Sequence, residues 1–224
     1  EIIPIVLLKF NKMRLRSLLI SFVAMSVALC GYAQSPHCQV EHFSRELASR
    51  YVEAIAQDQS GFIYLGTRNG LCRYDGHEFR FFKSYPGDAC RLSHNRINAI
   101  SVSSSNYLWC LAHDLKCYLF DPETERFYDP LSVAEDRDTN SPPLLIQQIY
   151  TLPQGITWLV GEEWAVRVDE KILRLNALSA EALTCYRIGS PQLAGTHVVS
   201  IRMDSVGNEW LLTDASVRDF GEEK

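Results

Sequence analysis

The stretch at residues 58–67, DQSGFIYLGT, contains the pattern that decides the fold. An aspartate opens a tight turn, a glycine three positions later closes it, and an apolar run with an aromatic residue follows. Aspartate in the first position and glycine in the fourth suit a type I turn. A short β-prone run bounded by turn residues predicts a strand. The stretch therefore predicts the turn and the second strand of a β-hairpin.

The same pattern occurs four times after residue 50. In each unit an aliphatic residue precedes an aromatic one by nine positions, and successive units are 45, 49 and 52 residues apart. The two sets of positions are Ile55, Ile100, Ile149 and Ile201, and Tyr64, Trp109, Trp158 and Trp210. Periods of this length are typical of propeller blades, in which each unit is one small antiparallel sheet. We therefore predict an all-β protein of about four four-stranded β-propeller blades, the last incomplete, that form part of a larger closed ring.

Further strands are predicted from the apolar runs that follow each hairpin. We expect the blades at residues 54–83, 98–130, 148–188 and 200–224. The third strands of the first two blades are expected at 70–75 and 116–121, and the fourth strands at 78–82 and 126–128. In the third blade, residues 173–175 and 183–188 are the expected counterparts, and a helical turn within 177–183 is the alternative. Little of the fourth blade is expected after Thr213.

The first 53 residues are expected to precede the blades. Three basic residues come before an apolar run at 18–29, and Gly31 and Ala33 supply the small residues of a cleavage site. This pattern predicts an upstream extension at 1–12, a signal peptide at 13–33 and a leader at 34–53 with an outer strand at 40–44. The apolar run is shorter than the roughly 20 residues of a membrane span, which makes an uncleaved anchor the less favoured alternative. The protein is therefore expected to be exported to the periplasm.

Charge and cysteine content exclude two classes of function. The net charge is -5 and the basic residues are scattered, so this segment has no basic stripe for binding nucleic acid. The cysteines after the signal peptide are Cys38, Cys72, Cys90, Cys110, Cys117 and Cys185. They form no CxxC spacing, which argues against a metal site. Most are expected to be small buried residues. If a disulfide is present, Cys110 and Cys117 are the first pair to test, because they are expected on neighbouring strands.

The repeated aromatic residues are expected to pack between blades rather than to stack on a ligand, because they occupy the same strand position in every unit. Each large ring can bury about 150–250 Å². Replacement of Trp109 by alanine is therefore expected to lower the melting temperature before it changes any affinity.

The loops that follow the aromatic strands differ between units, and loops commonly carry recognition. Repeat symmetry places them on one face of the array, together with the segment at 93–96. The candidate ligand-binding residues there are Arg68, Asn69, His94, Asn95, Arg96, His113, Asp114, Glu162, Glu163, Trp164 and Asp214. Such a mixture of charged groups, amides and an exposed tryptophan suits a polar ligand such as an oligosaccharide. Ordinary solvated loops are the alternative interpretation.

No catalytic motif is present in the sequence: it has no nucleophile elbow, zinc spacing or glycine-rich phosphate loop. His113 and Asp114 could form an acid–base site with Glu162 and Glu163, as carboxylate pairs do in glycosidases. A surface charge cluster is the simpler explanation. We therefore expect no catalytic residue, metal or cofactor in this chain.

Residues 58–76 resemble the two-component-regulator propeller repeat, and residues 92–97 resemble the inter-blade segment of that family. The likeness extends from about His42 to Thr213. Proteins of this family are periplasmic sensors of hybrid two-component systems, typically in gut Bacteroidetes. Their propellers precede an immunoglobulin-like domain, a membrane span, a histidine kinase, a receiver and a DNA-binding domain, and they commonly sense glycans.

The resemblance implies that the chain is the ligand-sensing front of a histidine-kinase receptor anchored in the inner membrane. Its expected partners are a small molecule or oligosaccharide and the remainder of that receptor, and a homodimer of the full-length protein stays open. A secreted polysaccharide-active propeller enzyme and a nonfunctional gene fragment are the alternatives.

Overall fold

The computed structural model describes residues 43, 47–85, 87, 92–135, 144–173, 175 and 180–220. The chain divides into two compact units, Glu1–Phe43 and Ser44–Lys224. With the exception of Phe43, all the described residues belong to the second unit. The upstream extension, the signal peptide and nearly all of the outer strand at 40–44 lie outside the described residues, as do Cys38 and Cys90. No helix within the described ranges has the length and hydropathy of a membrane span.

The described residues form four antiparallel sheets, which we call blades 1 to 4. Blade 1 contains β1 (Val52–Gln57), β2 (Ile63–Thr67), β3 (Gly70–Tyr74) and β4 (Phe79–Phe82). Blade 2 contains β5 (Ile97–Val102), β6 (Leu108–Ala112), β7 (Cys117–Asp121) and β8 (Arg126–Tyr128), followed by the helix α1 (Ser132–Glu135). Blade 3 contains β9 (Ile146–Leu152), β10 (Ile156–Gly161), β11 (Trp164–Asp169) and β12 (Leu183–Arg187). Blade 4 contains β13 (Val198–Met203), β14 (Glu209–Thr213) and β15 (Val217–Asp219).

Each blade is a meander in which neighbouring strands pair in chain order. The repeated aliphatic residue lies on the first strand of every blade and the aromatic residue on the second. The prediction of an all-β protein built from propeller-type blades, the last with fewer strands, is confirmed. Closure of the blades into a ring stays a prediction.

The third strand of blade 3 was predicted wrongly. Strand β11 supplies it and pairs with β10 from Ile156 to Val160, whereas Leu173 and Leu175 belong to no strand. Glu162 and Glu163 form a tight connection between β10 and β11, so the strand begins at Trp164, a residue that was expected in the loop. The fourth strand is β12, and a 3₁₀ turn at Ala180–Ala182 precedes it, within the range of the predicted helical turn.

Three of the four turns that open the hairpins depend on a side-chain acceptor at their first residue, Asp58, Ser103 or Asp204, as the sequence indicated, whereas the third turn begins at Leu152. Asp58 Oδ1 accepts hydrogen bonds from the backbone N–H groups of Ser60 and Phe62, each at 2.9 Å. Asn106 adopts a φ of 63° at the end of the second turn. In the third turn Gln154 has a φ of 64°, next to Gly155. The third turn therefore has two successive residues with positive φ, Gln154 and Gly155, where the second turn has one.

Three apolar clusters form the core, and each lies between two successive blades. The cluster between blades 1 and 2 includes Tyr64, Leu71, Ile97 and Phe120. The cluster between blades 2 and 3 includes Trp109, Leu119, Leu159 and Val166. The cluster between blades 3 and 4 includes Trp158, Val198, Ile201 and Leu211. Each blade therefore gains most of its stability from its neighbours, as in other repeat proteins.

The repeated aromatic residues lie at the boundaries between blades. Tyr64, Trp109 and Trp158 are fully buried, whereas Trp210 of blade 4 is 40% exposed. Trp109 Nε1 donates to Glu170 Oε1 of the next blade at 2.7 Å, and Trp158 Nε1 donates to Glu209 Oε2 of the next blade at 2.6 Å. The first three aromatic residues are therefore core residues, as predicted, whereas the prediction is wrong for Trp210 within the described residues.

Cys110 and Cys117, the first pair to test for a disulfide, lie on neighbouring strands as expected, and both are free thiols. Cys117 pairs with Leu111, the neighbour of Cys110 on β6. Because adjacent residues of a strand point to opposite faces, the two sulfur atoms lie in different apolar clusters. Burial raises the pKa of both thiols, and it raises the pKa of Cys72 to about 11. These residues are therefore small core residues rather than reactive thiols.

Candidate functional site

The pairing of the first two strands contains a β-bulge at the same place in every blade. The register skips one residue between Val52 and Ala54 in blade 1, and an equivalent skip occurs in the other blades. The skipped residues are Glu53, Asn98, Gln147 and Val199, each two positions before the repeated isoleucine. A bulge leaves its extra residue outside the ladder and changes the direction of its side chain. We call these four residues the bulge residues.

The loops between the second and third strands lie beside the segments that lead into the first strands. Gly70 N donates to Asn95 O at 2.8 Å, which joins the blade 1 loop to the start of blade 2. Ile146 N donates to Leu115 O at 2.7 Å, which joins the blade 2 loop to the start of blade 3. The loops and the bulge residues of blades 1 to 3 therefore share one end of the sheets.

A charged cluster occupies this end at the boundary between blades 1 and 2. Glu53 Oε1 accepts from Arg68 Nε at 2.8 Å and lies 3.1 Å from an Arg96 terminal nitrogen. The Arg68 guanidinium also stacks on the Tyr51 ring, with its central carbon 4.1 Å from the ring centroid. The hydrogen bond from Arg68 is the main cause of a lowered pKa for Glu53. One carboxylate thus orients two arginines from two blades.

Two histidines and an amide adjoin this charged cluster. The rings of His94 and His113 meet edge to face, with centroids 5.5 Å apart. His94 Nδ1 accepts from the backbone N–H of Arg96 at 2.9 Å, and the Asn98 amide nitrogen lies 3.5 Å from His113 Nδ1. Arg96 Nε and Asn98 Oδ1 are buried, and neither has a hydrogen-bond partner among the described residues. The site therefore contains one donor and one acceptor that no described residue matches.

Three other predicted site residues hold the loops together. Asn95 Oδ1 accepts from Ser84 N at 3.0 Å, and the Asn69 amide donates to Ala48 O at 3.2 Å. Asp214 accepts from the backbone N–H groups of Thr196 and His197, at 2.7 and 3.1 Å. With the hydrogen bond from the Thr196 hydroxyl as the main cause, these contacts lower the pKa of Asp214 to about 2. These side chains have structural partners on the loop face.

The acidic residues of the predicted site make no contact with this cluster among the described residues. Asp114, Glu162 and Glu163 are exposed, and within the described ranges their side chains make no hydrogen bond or ion pair. Trp164, expected to be exposed, is half-buried and packs against the core between blades 2 and 3. Of the predicted residues, the structure therefore brings together Arg68, Arg96, His94 and His113.

Two concave surfaces adjoin the blades. A groove of about 320 Å³ runs between β5 and β9, and its polar lining residues are Ser101, Gln147, Gln148 and Tyr150. A cleft of about 470 Å³ lies between blades 3 and 4 and is lined by the ion pair of Arg167 with Glu209, among others. The groove begins at a bulge residue, whereas the cleft lies at the opposite end of the strands, beside the hairpin turns. In the described part of the chain no three His, Cys, Asp or Glu side chains are grouped to hold a metal ion.

Sequence reasoning missed Glu53, Asn98 and Gln147. They lie inside predicted strands, where polar residues are usually read as the solvent-facing half of an alternating pattern. Their shared distance of two residues from the repeated isoleucine is the signal that could have identified them.

Comparison with known proteins shows which proteins the chain resembles. The chain is 33% identical over 78 residues to histidine kinase P4 of Formosa agariphila, a match that covers 34% of the chain and 5% of the kinase. It superposes with a TM-score of 0.55 and 18% identity on the extracellular domain of a hybrid two-component system from B. thetaiotaomicron, covering 82% of the chain and 26% of that domain. The extracellular domain of a one-component system from the same organism gives a TM-score of 0.52 at 19% identity, with coverages of 84% and 28%. No protein-family model matches the chain.

The chain thus spans only a small part of each of these proteins. At these identities the solved structures establish a shared fold, and the local match to a histidine kinase agrees with them. The resemblance predicted from the repeats is confirmed at this level. The chain is a set of β-propeller blades that resembles the extracellular domains of hybrid two-component systems.

Proposed function

We propose that the chain is a ligand-sensing segment of an exported two-component receptor and that its ligand is a polar molecule such as an oligosaccharide. The observation that carries the proposal is the cluster of Glu53, Arg68, Arg96, His94 and His113, which two blades build together at one end of the sheets. The similar extracellular domains support a receptor context. In this proposal the segment faces the periplasm, has no catalytic role, and signals through a receptor anchored in the inner membrane.

A panel of oligosaccharides tests the proposal. We expect saturable binding of at least one glycan to the purified chain by calorimetry, with no product released. The Arg96→Gln variant should weaken binding, since Arg96 joins the two blades at the cluster. An Arg187→Gln variant, at an exposed position on β12, is the matched control and should bind as the wild type does.

The same panel addresses the enzyme alternative. Release of shortened products, abolished by Glu162→Gln, would contradict the sensing role. If no glycan in the panel binds or is cleaved, the proposed ligand class is wrong.

A further inference from the structure

The contact between successive blades has the same direction at every boundary. The aromatic residue of one blade and the repeated isoleucine of the next blade lie in or against the same apolar cluster. The three pairs are Tyr64 with Ile100, Trp109 with Ile149, and Trp158 with Ile201. Each blade therefore has two faces, which we call the aromatic face, directed towards the next blade, and the isoleucine face, directed towards the blade before it.

The aromatic face of blade 4 is open in the described structure. Trp210 and Leu212 are each 40% exposed, and Val217, which pairs with Leu212, is 64% exposed. The residues equivalent to Leu212 in blades 2 and 3 are Leu111 and Val160, and both are buried in the clusters that join their blades to the next one. Blade 4 thus exposes the kind of apolar surface that is covered at the other boundaries, and an exposed apolar surface of this kind marks an interaction site.

The isoleucine face of blade 1 is also open. Ile55 is 69% exposed and Phe81 is 40% exposed, whereas Ile201, the equivalent of Ile55, is fully buried against blade 3. Residues paired across neighbouring strands point to the same side of a sheet. Two rows of paired residues without a charged side chain cross this side of blade 1: Ile55, Leu65, Cys72 and Phe81, and Gln57, Ile63, Tyr74 and Phe79. This face therefore suits an apolar partner.

The polar group of the Trp210 ring is satisfied within its own blade. The tryptophans of blades 2 and 3 donate to a carboxylate of the next blade, whereas Trp210 Nε1 donates to Asp204 Oδ2 of blade 4 at 3.0 Å. In blade 1, the position equivalent to Glu209 is occupied by Ile63, which offers no side-chain acceptor. Because Trp210 needs none, burial of its ring against blade 1 leaves no unmatched indole N–H group.

The charges on the aromatic face of blade 4 do not favour a charged partner. Arg202 and Asp219 pair with Trp210 from the two neighbouring strands, so all three side chains lie on the same side of the sheet. The two charges are opposite in sign, and this row of the face carries no net charge. An uncharged apolar surface therefore complements it better than a nucleic acid or a strongly charged protein does.

We propose that the aromatic face of blade 4 docks on the isoleucine face of blade 1 in a second copy of this chain. The contact continues the one that joins successive blades, with Trp210 and Ile55 as its fourth pair. No apolar cluster of the described residues joins blade 4 to blade 1, so both faces are available to another copy. Because the two faces differ, the contact is head-to-tail and builds a ring or a longer stack of blades. The inference does not depend on the proposed ligand.

Complementation between two variants tests the proposal. Trp210→Glu disrupts the aromatic face and keeps the isoleucine face, and Ile55→Glu does the reverse. By size-exclusion chromatography with light scattering, we expect the wild-type chain to have a mass above that of one copy, increasing with protein concentration, and each variant alone to have the mass of one copy. An equimolar mixture should form a dimer with one copy of each variant, because each supplies the face that the other lacks.

The matched control is Ile172→Glu, at an exposed position of blade 3 that belongs to neither face. It should assemble as the wild type does. Formation of the mixed dimer shows at the same time that both variants are folded. If either variant does not fold, Leu212→Glu and Phe81→Glu provide a second pair on the same two faces.

Three results would overturn the inference. One is a wild-type chain with the mass of one copy at every concentration. Another is assembly of Ile55→Glu on its own, which would indicate a two-fold contact between two aromatic faces. The third is a mixture that stays at the mass of one copy although both variants unfold cooperatively in thermal melts. None of these results affects the sensing function, which the glycan panel tests separately.

Discussion

At the scale of single residues, two inter-blade hydrogen bonds join a tryptophan to a buried carboxylate of the next blade. The two examples differ in what else the carboxylate binds. Glu209 also forms an ion pair with Arg167, through nitrogens at 2.6 to 3.1 Å. Glu170 Oε1 accepts in addition only from the Thr157 hydroxyl, and Glu170 Oε2 has no partner within the described ranges. Loss of the indole donor should therefore matter more for Glu170.

We expect Trp109→Phe to destabilise the chain more than Trp158→Phe, although both rings are fully buried. Each variant loses a similar volume, but only the first leaves a buried carboxylate with a single hydroxyl donor, which costs about 1–3 kcal/mol. Urea unfolding of the three variants measures the difference, with Trp210→Phe as the exposed control. Equal losses for Trp109 and Trp158 would show that packing alone determines the effect.

Asp214 makes stability depend on pH in the acid range. Its hydrogen bonds from Thr196 and His197 lower its pKa from 3.8 to about 2. A lowered pKa in the folded state adds stability that is present above the unfolded pKa and is lost as pH falls towards the folded one. Asp214→Asn should therefore lower the thermal midpoint at neutral pH and approach the wild type between about pH 4 and about pH 2.

Thermal melts across this pH range check that prediction. Asp114→Asn is the matched control, because its exposed carboxylate makes no hydrogen bond or ion pair in the described part of the chain. A difference between Asp214→Asn and the wild type that stays constant down to pH 2 would contradict the assigned role of the carboxylate.

At the scale of strands and turns, close approach of the backbone limits the second strand of blade 3. A Cβ atom on Gly161 would overlap the carbonyl oxygen of Leu145, at the bulge where β9 begins. A Cβ atom on Gly66 would instead meet methyl groups of Ile97 and Ile100 at 3.1 and 3.2 Å, and the carbonyl oxygen of Ile97 at 3.2 Å rather than at an overlapping distance. Side chains can shift by a few tenths of an ångström more readily than a paired backbone.

We therefore expect Gly161→Ala to cost at least the upper end of the 1–3 kcal/mol typical of overpacking, about 3 kcal/mol, and Gly66→Ala clearly less. Chemical denaturation of both variants measures the two costs. A milder effect at Gly161 would mean that the segment leading into β9 can move away from β10.

The sequence allowed prediction of the elements far better than of the site. Turn residues and apolar runs are local signals, so the hairpin around Asp58 and its three repeats could be read directly. The strand from Trp164 to Asp169 was not predicted, because two exposed glutamates directly precede it and indicated a loop. Glu53, Asn98 and Gln147 were not identified, because a bulge is a property of the pairing between two strands. The sequence of one strand does not show the register in which it pairs with the next.

At the scale of the described blades, each blade packs against the blade before it and the blade after it in sequence. Every apolar cluster lies between two successive blades, and none spans three. The face of blade 4 that carries Trp210 and Leu212 is open in the described structure, and both side chains are 40% exposed. Stability in such an array is approximately a sum of single-blade terms and nearest-neighbour terms.

Nearest-neighbour coupling predicts that a destabilising substitution in blade 4 lowers the stability of blades 4 and 3 but not that of blade 1. Ile201 is fully buried between blades 3 and 4, so Ile201→Ala should destabilise that interface by about 2–5 kcal/mol. Hydrogen exchange read by mass spectrometry should then speed up in β13 to β15 and, to a smaller extent, in β9 to β12. Exchange in β1 to β4 should stay at the wild-type rate, since blade 1 shares no cluster with blade 4. Uniformly faster exchange across all blades would mean that the blades unfold as one cooperative unit. Ile97→Ala, the equivalent substitution between blades 1 and 2, separates the two cases. It should speed up exchange mainly in blades 1 and 2 if coupling is between neighbours, and in all blades if unfolding is cooperative.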